Sequence, residues 1–98
     1  MEAKAVIERL SGNRPQLEAM GLRRLSLFGS TARGEAGAGS DVDLAVMLDK
    51  SATIDLFRFA AIGEHLSQLI GAPVDMVVEP CLNPRVQTEI DRDRLRVY

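Results

Sequence analysis

The stretch from Leu25 to Leu48 decides more about this 98-residue chain than any other. Leu25, Leu27 and Phe28 predict a short apolar strand that Gly29-Ser30 turns out of. Thr31-Ala32-Arg33 can start a helical turn, whose first backbone N–H groups have no intrahelical partner. Such N–H groups beside a serine hydroxyl suit a phosphate. Ten residues separate Ser30 from Asp41, and Asp41-Val42-Asp43 then opens a second apolar strand, Leu44 to Leu48. Strand side chains alternate faces, so Asp41 and Asp43 are expected to point the same way, roughly 7 Å apart along the chain. Two like charges so placed call for a counter-charge. A hard cation such as Mg²⁺ meets that need, taking one or two carboxylates plus water and substrate phosphates. A phosphate seat one loop away from a carboxylate pair describes a nucleoside-triphosphate site.

The remainder of the chain predicts a frame for those two strands. Ala3, Val6, Ile7 and Leu10 fall at helical spacing within Glu2 to Leu10, and Ser11-Gly12 stops that helix. Asn13 suits an N-cap with Pro15 in the first turn, so a second short helix is expected to reach about Met20 before Gly21. Leu22 to Phe28 is the first strand. Ser51 or Thr53 is the expected cap of the next helix, with Asp55 favourable near its N-terminus. Leu56, Phe59, Gly63, Leu66 and Ile70 give its apolar stripe, and Gly71 its end. His65, beside that stripe without a partner motif, is expected to be structural.

Pro73 to Val78 is the third strand, interrupted by Asp75, a carboxylate that is costly there unless paired, metal-bound or at an open edge. Strand, helix, strand from Asp43 to Val78 is a βαβ unit, whose strands should be parallel. That brings Asp75 to the same end as Asp41 and Asp43. For the Gly29-Ser30 turn to join them, the first two strands must run antiparallel. The expected fold is therefore α/β (α+β): a small mixed sheet with helices packed on it. Asn83-Pro84 predicts a further helix over Arg85 to about Arg92, and Leu95 to Tyr98 a short closing strand. Tyr98 itself is expected to be packed or exposed, without a chemical part.

Gly37-Ala38-Gly39 does not extend to a dinucleotide fingerprint, because the next glycine would fall at Val42, and no Gly-Lys-Ser/Thr loop is present. The net charge of −2 argues against a general nucleic-acid binder. No apolar run approaches a membrane span and Met1-Glu2-Ala3-Lys4 has no basic leader pattern, so the chain is expected to be cytoplasmic, with residues 1–98 forming one domain. Cys81 is the lone cysteine, which fits a reducing compartment.

The string Phe28-Gly29-Ser30-Thr31-Ala32-Arg33-Gly34, followed by Ser40-Asp41-Val42-Asp43-Leu44, resembles the signature of the polymerase-beta-like nucleotidyltransferases, and among them the minimal nucleotidyltransferases. Those small proteins are often encoded beside a HEPN-domain toxin. The resemblance implies their core fold and a transfer in which an acceptor oxygen attacks the α-phosphate of ATP and pyrophosphate leaves. It implies Asp41 and Asp43 as ligands of Mg²⁺, two ions in all. Asp75 would be the third carboxylate, a metal ligand nearer the acceptor or the general base. Gly29 and Ser30 would hold the β- and γ-phosphates, with Arg33 neutralising their charge.

Plainer readings stand beside these: a strand-opening turn for Asp41 and Asp43, an exposed strand-start carboxylate for Asp75, an ordinary ion pair for Arg33. The chain ends about twenty residues after the third strand, so the acceptor site is expected to be completed by a partner. In family terms that partner is a HEPN toxin, adenylylated on a tyrosine, in a hetero-oligomer with its antitoxin and with no direct nucleic-acid or membrane contact. The alternatives are a non-catalytic module that neutralises the toxin by occlusion, and an oligomer that modifies antibiotics.

Overall fold

The computed structural model describes residues 2–37 and 39–98. Met1 and Ala38, within the two runs read above for a leader and a fingerprint, lie outside the described residues. Helices α1 (Ala3–Ser11) and α2 (Arg14–Ala19) precede strand β1 (Leu22–Phe28), the single-turn helix α3 (Gly29–Ala32) and strand β2 (Val42–Leu48). Helix α4 (Leu56–Ile70), strand β3 (Val74–Val78), helix α5 (Pro84–Asp93) and the two-residue strand β4 (Leu95–Arg96) follow. The four strands form one mixed sheet in the order β3-β2-β1-β4. β2 pairs antiparallel with β1 and parallel with β3, as the positions of the turn and the carboxylates require.

Alternation along the strands divides the sheet into two unlike faces. Leu25, Leu27, Val42, Leu44 and Val46 face α1 and α4, meeting Val6, Leu10, Ile62, Leu66 and Ile70 in the main core. The opposite face carries Phe28 and Ala45, which among the described residues form a smaller apolar cluster with Ile90 and Val86 of α5 and with Val77. That thin cover leaves part of the second face open beside Phe28 and Ala45, which is where Asp43 and Asp75 fall. Arg94 fastens the end of α5 to this face: its Nη1 donates to Ser26 Oγ at 3.0 Å and to Glu79 Oε1 at 2.8 Å. The Glu79 carboxyl is held below its ordinary pKa chiefly by Arg94.

Several local expectations are corrected. Asn13 occupies the N-cap position of α2 without capping it; its Nδ2 donates back to Arg9 O at 2.7 Å, closing α1 instead. Asp55, not Ser51 or Thr53, caps α4 by accepting from Arg58 N at 2.8 Å, while Ser51 is taken up by Asp49. Leu56 is 79% exposed, and the buried stripe of α4 begins later, at Ile62. β2 opens at Val42, which leaves Asp41 one residue outside the strand. His65 is partly buried on α4, and its Nε2 has no hydrogen-bond partner among the described residues.

The strand expected to run to Tyr98 stops at Arg96, and Tyr98 turns in. Its ring is buried, its hydroxyl donates to Leu22 O at 2.8 Å, and the Arg14 guanidinium lies 4.9 Å from the ring centroid. Burial, with Glu18 nearby, pushes the Tyr98 pKa from 10.0 up to about 12. The unfolded chain therefore releases the phenolic proton first, so stability present below pH 10.0 is lost as pH rises toward about 12. Tyr98→Phe strips the Leu22 carbonyl of its buried donor and is expected to cost about 1–2 kcal/mol at neutral pH. It should also flatten that alkaline loss. Urea denaturation of both proteins between pH 8 and 11 checks both effects.

Candidate active site

The site is built where β1 hands over to α3. Phe28 is paired with Asp43 across the antiparallel register, so the turn after Phe28 necessarily lies beside Asp43. Gly29 makes that turn at φ 77°, a left-handed conformation that disfavours any residue with a Cβ. Space demands glycine too. A Cβ built there would fall onto Asp43 Oδ2 and lie 3.0 Å from Asp43 Cγ. The backbone of the turn and the carboxylate are thus packed against each other. Ser30, partly exposed, is the second residue of α3, among N–H groups that no helical carbonyl can reach.

Asp43 and Asp75 are direct neighbours in the parallel register of β2 and β3 and share the α5 face of the sheet. Asp41 is exposed just upstream. The Asp43 pKa is raised, first by burial and then by the charges of Asp75, Glu89 and Asp41, with Arg33 acting in the opposite sense. Ionised Asp43 therefore sits in a field that favours a cation, and a cation there would relieve the repulsion. Among the described residues no three acidic, histidine or cysteine side chains already form a metal cage. The donor set fits Mg²⁺, which binds through one or two carboxylates and keeps water and phosphate oxygens for the rest of its shell. Asp75 also lines a groove of about 430 Å³ between α4 and β3, with Phe59, Gly63, Ser67 and Met76.

Arg33 caps the C-terminal end of α3. Its Nε donates to Glu35 at 2.9 Å and its Nη1 to Asp93 at 2.6 Å, with Glu89 4.0 Å away. Arg33 thus forms the ion pairs of the plainer reading, and it does so close enough to Asp43 to oppose the rise in that carboxyl's pKa. Sequence reasoning had no part for Glu89 or Asp93. Their spacing of four puts them on one side of α5, beside the buried Ile90. Nothing in that spacing says that α5 will fold over the carboxylate face rather than the main core.

The glycine turn, the two aligned carboxylates and the short helix all lie inside one family match. The family model for the nucleotidyltransferase domain matches residues 7–97. The chain belongs to this family. The nucleotidyltransferase domain is 34% identical to protein adenylyltransferase MntA of Thermococcus cleftensis over 76 residues, 78% of this chain and 75% of that protein. It is also similar to a solved structure assigned as a minimal nucleotidyltransferase, with 33% identity and a TM-score of 0.68 over 97% of this chain and 95% of that one. The fold is shared further with a chain from the structure of tri-AMPylated Shewanella oneidensis HEPN toxin in complex with MNT antitoxin. There the TM-score is 0.66 at 17% identity, covering 94% of this chain and 71% of that one. The mixed sheet of four strands with five helices, counted among the described residues, is thus the polymerase-beta-like nucleotidyltransferase core.

Proposed function

We propose that this nucleotidyltransferase transfers AMP from ATP to a side-chain hydroxyl of a HEPN-domain partner, a tyrosine hydroxyl in the first instance, and acts through that modification as an antitoxin. The observation that carries the reading is the alignment of Asp43 with Asp75 beside the Gly29 turn. Support for a protein as the acceptor comes from the likeness to a protein adenylyltransferase. The reading places the protein in the cytoplasm, with residues 1–98 working as one domain and the partner bound as a hetero-oligomer.

The reaction joins the acceptor oxygen to the α-phosphorus and breaks its bond to the β-phosphate bridging oxygen. Pyrophosphate leaves with the electron pair, and the hydroxyl proton passes to a carboxylate or to water. Asp41 and Asp43, with Asp75 on the acceptor side, would hold Mg²⁺; bound there, the metal supplies charge stabilisation to the attacking and leaving oxygens. The Gly29-Ser30 turn presents backbone N–H groups and Ser30 adds a hydroxyl, so together they seat the β- and γ-phosphates. Arg33 neutralises phosphate charge from the end of the same short helix. Asp75, exposed on the edge strand of the sheet, serves the acceptor, either as metal ligand or by taking its proton. The small apolar cover of α5 leaves this face accessible to a docked protein, whose docking supplies orientation of the hydroxyl.

Without a cation the triphosphate meets Asp41, Asp43, Asp75 and Glu89, so ATP affinity is expected to drop at least about tenfold when Mg²⁺ is removed. Calorimetric titration with ATP, with Mg²⁺ and then with excess chelator, measures this. Equal affinities would overturn the assignment of the carboxylates.

A further inference from the structure

The geometry points to Asp93 as a positioning residue that fixes the Arg33 guanidinium at the phosphate turn, a part that rests on the nucleotidyl-transfer reading above. Asp93 is the last residue of α5. A carboxylate at a helix C-terminus opposes the helix dipole. This one is also nearly inaccessible, its side chain 4% exposed. Burial of a charge is costly unless it is paired. Arg92, next in the chain, already supplies two hydrogen bonds, from Nε at 3.0 Å and Nη2 at 3.2 Å. The added contact from Arg33 Nη1, at 2.6 Å, comes from 60 residues away and joins α3 to α5.

The consequence is geometric rather than energetic, since ion pairs of accessible arginines add little to stability. Glu35 holds Nε and Asp93 holds Nη1, so the guanidinium is gripped at two points. A guanidinium has five N–H donors, and among the described residues Nη2 makes no hydrogen bond, which leaves a pair of donors for a phosphate oxygen. The long side chain is ordered during folding, and nucleotide binding is spared that entropy. Arg92 offsets the charge of Asp93, while Glu35 and Glu89 also lie against Arg33, so what the held guanidinium offers an anionic ligand is its oriented N–H donors rather than a net charge. Asp93 touches neither nucleotide nor acceptor; it acts through Arg33.

Calorimetry with Mg-ATP and with AMP on the wild type, Arg33→Ala, Asp93→Asn and the double variant tests the assignment. Asp93→Asn should lose about tenfold in ATP affinity while AMP affinity stays within about twofold, because Arg33 serves the outer phosphates. The double variant should bind ATP no more weakly than Arg33→Ala alone, as required when one residue acts through the other. The ratio of ATP to AMP affinity keeps the test valid if Asp93→Asn folds incompletely, since a reduced folded fraction lowers both alike. Wild-type ATP affinity in Asp93→Asn, an equal fall for AMP, or full additivity in the double variant would each overturn the positioning role. An Arg33→Ala protein that binds ATP like wild type would overturn it as well. If the wild type binds no Mg-ATP, the nucleotidyl-transfer reading itself falls, and this part with it.

Discussion

Asp43→Asn is expected to raise the melting temperature by a few degrees at pH 7 and to lower transfer activity by at least about 10²-fold. The two effects have one origin. Asp43 is forced to be charged in a half-buried place facing Asp75, Glu89 and Asp41, and its pKa is raised accordingly. A carboxyl that holds its proton more tightly when folded favours the native state most below its ordinary value of 3.8, and that advantage is lost as pH rises through the raised value. At neutral pH the native protein therefore bears the repulsion in full. The amide keeps the shape and removes the charge, so the variant gains stability and loses a metal ligand. The gain should shrink as pH is lowered toward 4, where Asp43 takes up a proton by itself. Thermal unfolding of wild type and variant across pH 4 to 7 reads this directly. A large loss of stability at pH 7 would mark Asp43 as a structural residue.

Gly29→Ala should have the opposite sign for stability and the same result for activity. An L-residue in the left-handed region costs roughly 1–2 kcal/mol. Beyond that, its Cβ would overlap Asp43 Oδ2, and Asp43 is anchored by pairing on both sides of β2. Either the carboxylate rotates out of the site or the ends of β1 and β2 separate. Gly34→Ala separates the two costs: φ there is 74°, yet a Cβ would meet nothing within 4 Å. Gly34→Ala should therefore lose only the conformational part, about 4–8 °C per kcal/mol in a domain of this size. Gly29→Ala should lose clearly more and should no longer bind Mg-ATP. If both melt alike and both bind nucleotide, the close packing of turn and carboxylate is not what makes position 29 special.

The parts of this fold that could be read in the sequence are those in which chemistry and chain direction limit each other. A turn after one strand and a carboxylate pair before the next can be adjacent only if the strands are antiparallel. The helix between Asp43 and Asp75 allows only a parallel return. Those two statements give the sheet from β1 to β3 and the alignment of Asp43 with Asp75. The string from Phe28 to Leu44 adds its resemblance to known nucleotidyltransferases.

What could not be read depends on contacts between distant segments. The side of the sheet that α5 covers is set by Ile90 and Val86 meeting Phe28, Ala45 and Val77. Only that choice brings Glu89 and Asp93 to Arg33. Tyr98 is buried because Leu22 O and Arg14 happen to lie within its reach, a fact with no local signal. Asn13 and Ser51 had suitable residue types for caps but found other partners nearby, since short polar side chains can bond the backbone in several ways. Leu56 keeps the helical rhythm of α4 yet is exposed, because periodicity marks a face and not how far the core extends along it.

The most direct test of the account is the intact mass of a HEPN-domain partner co-expressed with this protein. Docking should orient the acceptor hydroxyl, so the partner should carry one or more AMP groups on hydroxyl side chains, mapped to a tyrosine by peptide analysis. Co-expressed with Asp41→Asn combined with Asp43→Asn, the same partner should carry none and should regain its toxicity. A partner that is never adenylylated, yet stays neutralised as well by the double variant as by wild type, would contradict catalysis as the way this protein acts.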